Sequence, residues 1–189
     1  MNGMRGARRC ARPVRLALAS PLRGDIDGAW WPHTASVAGE LPDLIEALHR
    51  PLGEIIDISI NWSATDGAPD LDSMSNGAKL MPGWRNRRQR LMVIAGRRAC
   101  AKLLVVPHMT SPDLGLMVLR RAARLPVPGS QHDTQVFRTA ESVLCAAQTE
   151  SASWATRTHN TDAAETRTES RTESRTLHGL HNEQPSPDA

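Results

Sequence analysis

From Thr149 to the end, 41 residues contain two leucines, Leu177 and Leu180, and no valine, isoleucine or phenylalanine. A stretch this poor in apolar side chains cannot offset the entropy of ordering its backbone by burying surface. Any core must therefore come from the residues before it. Inside the stretch, Arg-Thr-Glu-Ser occurs at 167–170 and again at 171–174, followed by Arg175-Thr176. Wound as a helix, this repeat stacks Arg167, Arg171 and Arg175 four apart, and Glu165, Glu169 and Glu173 likewise, so like charges meet. Residues 149–189 are expected to be a disordered low-complexity tail. Residues 1–12 hold four arginines and no acid, and read as a flexible basic arm.

Residues 13–148 have the length of one ordinary domain. Val14, Leu16 and Leu18 alternate with Arg15 and Ala17, the period of a half-buried strand. A short strand at Ala29–Trp31 stops at Pro32. Val37, Leu41, Leu44, Ile45, Leu48 and Leu52 then follow helical spacing, which predicts a helix over 36–50, capped by Thr34 or Ser36 and either kinked or restarted at Pro42. Ile56, Ile58, Ile60 and Trp62 form one face of the clearest strand, with Asp57, Ser59 and Asn61 on the other. Asn76-Gly77 predicts a hairpin of Leu71–Ser75 with Ala78–Met81. Arg90–Ala95 and Cys100–Val106, around Gly96-Arg97-Arg98, predict a second hairpin, with Leu103–Val106 apolar enough to be central. Ser111-Pro112-Asp113 opens a helix to about Arg124, with the serine as cap, and a last short helix is expected over about 139–148. The fold class expected is α+β, a mainly antiparallel sheet of about six strands packed against the 36–50 and 112–124 helices.

Charge runs in blocks. The chain to Gly24 carries six arginines and no acid, residues 25–83 ten acids against Arg50 and Lys79, and residues 84–128 ten bases against Asp113. The net charge is only +3, so internal pairing between blocks is the expectation, with a partner-binding stripe as the alternative. No apolar run approaches the roughly eighteen residues of a membrane span. The arginine-rich start has too short an apolar segment for a signal peptide, and three cysteines, Cys10, Cys100 and Cys145, make no Cys-x-x-Cys pair. A reduced, cytoplasmic setting fits this best.

The sequence contains no phosphate loop, nucleophile elbow, dinucleotide fingerprint or zinc-protease helix. No catalytic residue, metal ligand or cofactor is expected. Two segments remain. Asp25, Asp27, Trp30 and Trp31 crowd together before Pro32. Strand alternation puts the two indoles on opposite faces, so in a sheet covered on one side both cannot be core, and the wet one offers a flat recognition surface. The bland alternative has the aspartates capping turns and the rings filling core and sheet edge. The second segment joins Trp84, Arg85, Arg87, Arg88 and Arg90 to the nearby Arg97 and Arg98, a combination that suits phosphate and base stacking in single-stranded nucleic acid.

Asp27-Gly28-Ala29-Trp30-Trp31-Pro32, with Glu40-Leu41-Pro42 and Leu103-Leu104-Val105-Val106-Pro107, resembles a family of small actinobacterial proteins known only as a domain of unknown function. The resemblance runs from about Val14 to Ala147. It implies a shared small domain and brings no activity, cofactor or catalytic residue. The functional expectation is therefore a non-catalytic cytoplasmic module that binds a protein partner or small ligand beside Trp30 and Trp31. A nucleic-acid-associated protein using the arginine cluster is the alternative.

Overall fold

The computed structural model describes residues 12–63, 68, 70–72 and 88–179, with side chains as far as residue 157. The chain divides into two compact units, Met1–Ser151 and Ala152–Ala189. The first unit contains a five-stranded sheet of β1 (Leu16–Leu18), β2 (Gly28–Trp30), β3 (Ile55–Ile60), β4 (Leu91–Gly96) and β5 (Cys100–Val105), in the order β1-β2-β5-β4-β3. Its helices are α1 (Val37–Leu52), α2 (Pro112–Ala122) and the first part of α3 (Gln135–Gly179), with a 3-10 turn at Gly129–Gln131.

The class is α+β, but the sheet is mixed. The β4–β5 hairpin forms as expected, and β5 then inserts beside β2 in parallel, while the other three pairings are antiparallel. The expected 71–75/78–81 hairpin lies outside the described residues except for Leu71 and Asp72.

Sequence alternation and register assign the faces. Trp30 pairs with Val105 and Gly28 with Leu103, while Met92 and Ile94 oppose Leu103 and Ala101. Trp30, Met92, Ile94, Ala101, Leu103 and Val105 pack in one core with Leu44, Leu48 and Leu52 of α1. Ala29, Leu104 and Leu91 point the other way and are also fully buried. That second face is covered by α2, which packs on β1 and β2, and by α3, whose Ser151 accepts a hydrogen bond from Lys102 Nζ at 2.6 Å. A sheet closed on both sides explains the unbroken apolar run from Leu103 to Val106, as such strands bury both faces.

Local chemistry sets the helix ends. Ser36 caps α1 by accepting from the Gly39 amide at 3.3 Å, and Pro42 in the second turn removes one donor without ending the helix. The cap of α2 differs from expectation. Ser111 makes no side-chain cap bond; its amide donates instead to Asp72 Oδ2 at 2.9 Å and its hydroxyl to Oδ1. A carboxylate from a distant loop thus sits at the positive helix end. At the start of β3, Ile55 pairs with Gly96 and Asp57 with Ala95, so Ile56 is an inserted residue. This bulge turns Ile56 outward, 67% exposed, and corrects the expected face of Ile56, Ile58, Ile60 and Trp62.

The longest departure is α3. It starts four residues before the expected helix and runs through the predicted tail to Gly179. No glycine or proline occurs between Gln135 and His178, and alanine, glutamate and arginine are interleaved there with the weaker helix formers threonine and serine. The absence of a breaker lets the helix run on where the lack of apolar side chains argued for none. Buried anchoring to the first unit reaches Ser151, three residues past the expected boundary.

Candidate functional site

The segment expected to bind is instead the centre of the architecture. Trp30 and Trp31 are 1% and 4% exposed. Their faces do oppose each other, but each face has its own cover. Trp30 enters the α1 core. Trp31 lies against Gly115 of α2, so closely that a Cβ there would stand 2.7 Å from the ring, and its indole N–H donates to the Pro107 carbonyl at 3.1 Å. The Arg15 guanidinium stacks over the ring, 3.6 Å from its centroid, and donates to the carbonyls of Trp31 and Pro32. The premise of a one-sided sheet, which left one indole wet, fails.

The aspartates divide. Asp27 is buried, and its carboxylate accepts from the amides of Gly24 at 2.8 Å and Lys102 at 3.1 Å, fixing the turn into β2. Gly28 follows because a Cβ would meet the Ala17 carbonyl oxygen of β1 at 2.2 Å. Asp25 is exposed.

Glu40 closes the same segment from α1. Its carboxylate accepts from the His33 amide at 2.8 Å and from the Thr34 amide and hydroxyl at 2.7 Å. Burial works to raise the Glu40 pKa, but these hydrogen bonds outweigh it and the carboxyl titrates below its ordinary value. A folded pKa below the unfolded one adds stability that is present above the unfolded value and lost as pH falls through the folded value. Denaturant titrations across that acid range are expected to show a loss on the order of 1 kcal/mol, allowing for solvent screening, that Glu40→Gln removes.

Of the arginine cluster, Trp84, Arg85 and Arg87 lie outside the described residues. Arg88 is exposed. Arg97 pairs with Glu54 at 2.6 Å, and Arg98 donates to the carbonyls of His49 and Arg50, satisfying the end of α1. Arg90 stands over Trp62, 5.5 Å from the ring centroid. Among the described residues, Arg97–Glu54 and Arg121–Glu141 form ion pairs.

Arg90 and Trp62 belong to a groove of about 510 Å³ between the start of α1 and the outer half of the sheet. Val37 and Leu41 form one wall, Ile58, Ile60 and Trp62 the other, and Met92 the floor. Among the described strands β3 stands at the edge of the sheet, and its Ile60 is 46% exposed. Just after β3, Asn61 continues the pairing by side chain and main chain. Its amide group donates to the Gln89 carbonyl at 2.9 Å and its Oδ1 accepts from the Leu91 amide at 2.7 Å, which holds Trp62 beside Arg90. Sequence reasoning treated Trp62 only as the last inward residue of a strand. The available signal was its placement at the end of one strand with Arg90 at the start of the next.

Neither described cysteine is held in a disulfide. Cys100 and Cys145 are free, and burial, with Asp27 nearby, pushes the Cys100 thiol pKa upward. No group of three potential metal ligands occurs among the described residues. None of their helices is long and apolar enough to cross a membrane.

A family model described as a family of unknown function (DUF5994) matches residues 15–122, more than half of the chain. The chain belongs to the DUF5994 family. The match begins at Arg15, which stacks on Trp31, and ends with α2, so α3 falls outside it. All the residues named in the groove lie within the DUF5994 region, as do the 27–32, 40–42 and 103–107 segments. No curated protein and no solved structure matches the chain.

Proposed function

We propose that the chain is a non-catalytic module that binds a small amphipathic acid, an apolar body ending in a carboxylate, in the groove between α1 and β3. The observation that carries this reading is the composition of the lining. Among the described residues that line it, the walls are apolar and Arg90 is the only charged side chain. A volume of about 510 Å³ falls in the range of small-ligand sites. Covering the half-exposed Ile60 and the open part of Trp62 supplies hydrophobic free energy at about 25 cal/mol per Å². A guanidinium at the rim pairs with the acid and sets the orientation.

Calorimetric titration with decanoate and with decanol tests this. Decanoate is expected to saturate one site, and Ile60→Asp, at a position already half open to solvent, to weaken both ligands. Arg90→Gln should cost decanoate about tenfold and leave decanol unchanged. Decanoate that fails to saturate, or that binds Ile60→Asp as well as the parent, contradicts the assignment.

A further inference from the structure

A second pocket, of about 440 Å³, lies between the 23–26 loop, the end of α2 and α3, away from the groove. Its lining includes Arg23, Asp25, Arg121, Arg124, Glu141 and Gln148. Part of this set is locked. Arg121 Nε donates to Glu141 Oε1 at 2.5 Å, so these two charges answer each other.

Arg124 is held in an unusual way. It adopts φ 56°, a left-handed conformation that glycine normally supplies at a helix end. The Leu125 amide bonds to the Arg120 carbonyl at 2.9 Å and the Arg124 amide to that of Arg121 at 3.0 Å, the Schellman pattern with arginine in the glycine place. Its guanidinium donates from Nη1 to the Pro21 carbonyl at 3.3 Å and from Nη2 to the Ile26 carbonyl at 3.4 Å, over Gly24, where a Cβ would come within 1.9 Å of Nη2, and its remaining N–H groups are left for the pocket. A side chain is thus retained at a strained position, and it reaches into the pocket.

The loop opposite is equally fixed in its backbone. The Asp25 carbonyl accepts from Ser151 Oγ at 3.0 Å, and the Gly24 amide is held by Asp27. By contrast, the side chains of Arg23, Asp25 and Gln148 make no hydrogen bond or ion pair among the described residues. The fixed loop backbone lowers the ordering cost of binding, which falls on the Arg23, Asp25 and Gln148 side chains.

The charge pattern selects the ligand class. With Arg121 and Glu141 paired, two guanidiniums, Arg23 and Arg124, face one carboxylate, Asp25. We infer that this pocket binds an acidic α-amino acid, whose two carboxylates meet Arg23 and Arg124 and whose ammonium meets Asp25, with Gln148 donating or accepting beside them. A simple dianion lacks the group that Asp25 requires, and a neutral amino acid leaves one arginine unanswered.

Titration of the full chain by calorimetry or amide chemical shifts, with L-glutamate, L-glutamine, glutarate and inorganic phosphate, tests this. L-glutamate is expected to saturate one site, with glutarate and L-glutamine at least about tenfold weaker. Asp25→Asn should erase the advantage of glutamate over glutarate, and Arg23→Gln its advantage over glutamine; both positions are exposed, so folding is spared. Ile60→Asp, in the groove, should change nothing here. The inference is overturned if no probe saturates at high millimolar concentration. It is equally overturned if glutarate or phosphate binds as well as glutamate, or if Asp25→Asn leaves the ranking intact.

Discussion

Trp30→Ala is expected to destabilise the first unit by about 3–5 kcal/mol, the cost of removing a large buried aromatic from a core that only partly collapses. Trp30 is among the largest fully buried side chains, and it belongs to one core cluster with three leucines of α1 and inward residues of β4 and β5. Domains of this kind are stable by about 5–15 kcal/mol in total, so this one change takes a large share and the variant is partly unfolded if the parent is at the low end. Urea denaturation of parent and variant, followed by circular dichroism, measures it. The slope of free energy against urea should be similar in the two, because the same surface is exposed on unfolding. An exposed recognition indole would instead give a change within about 0.5 kcal/mol.

The second large effect is at Gly115, and there the sign is informative. On helix propensity alone, Gly115→Ala stabilises α2 by about 1 kcal/mol. The added methyl would stand 2.7–2.8 Å from three carbons of the Trp31 ring, which is buried and tied to the Pro107 carbonyl and so has nowhere to move. Overpacking of this kind costs about 1–3 kcal/mol, and the net expectation is a loss. Gly115→Leu should lose more, because the ring must leave its place. Gly129, with open space around its Cβ position, is the control, and Gly129→Ala should be close to neutral. A gain in stability for Gly115→Ala would mean that Trp31 does not rest on α2.

Both results follow from the way the three segments behind the family resemblance meet. Asp27 and Gly28 set the turn and the close approach to β1. Trp30 and Trp31 serve opposite faces, Glu40 returns from α1 to hold His33 and Thr34, and Pro107 receives the Trp31 indole. Their residue types are explained by the fold, which is why the binding proposals rest elsewhere, at Trp62 with Arg90 and at Asp25 with Arg23 and Arg124.

Much of this fold is legible from side-chain periodicity. Leucine spacing locates α1, alternation locates β3, and the glycine between two apolar runs locates the β4–β5 hairpin. What periodicity cannot show is which strands become neighbours. The parallel insertion of β5 beside β2 depends on contacts across about 75 residues of chain, beyond any local pattern. The unbroken run Leu103–Val106 did carry the relevant signal, because a strand apolar at every position has two covered faces. Had that been applied to the neighbouring strand, both indoles would have been assigned to the core. The bulge at Ile56 and the Asp72 cap of α2 escape for the same reason as the strand order, since each is fixed by a partner distant in sequence. Of the candidate site residues, Asp25 lines the second pocket and Arg90 the groove.

The most direct test of the structural role of the double tryptophan is the solvent access of those two rings. Replacing Trp62, Trp84 and Trp154 by phenylalanine leaves Trp30 and Trp31 as the only indoles. Their fluorescence should be blue-shifted and almost insensitive to acrylamide until the protein is unfolded in urea. Red-shifted emission in the folded protein, quenched as readily as free tryptophan, would contradict it.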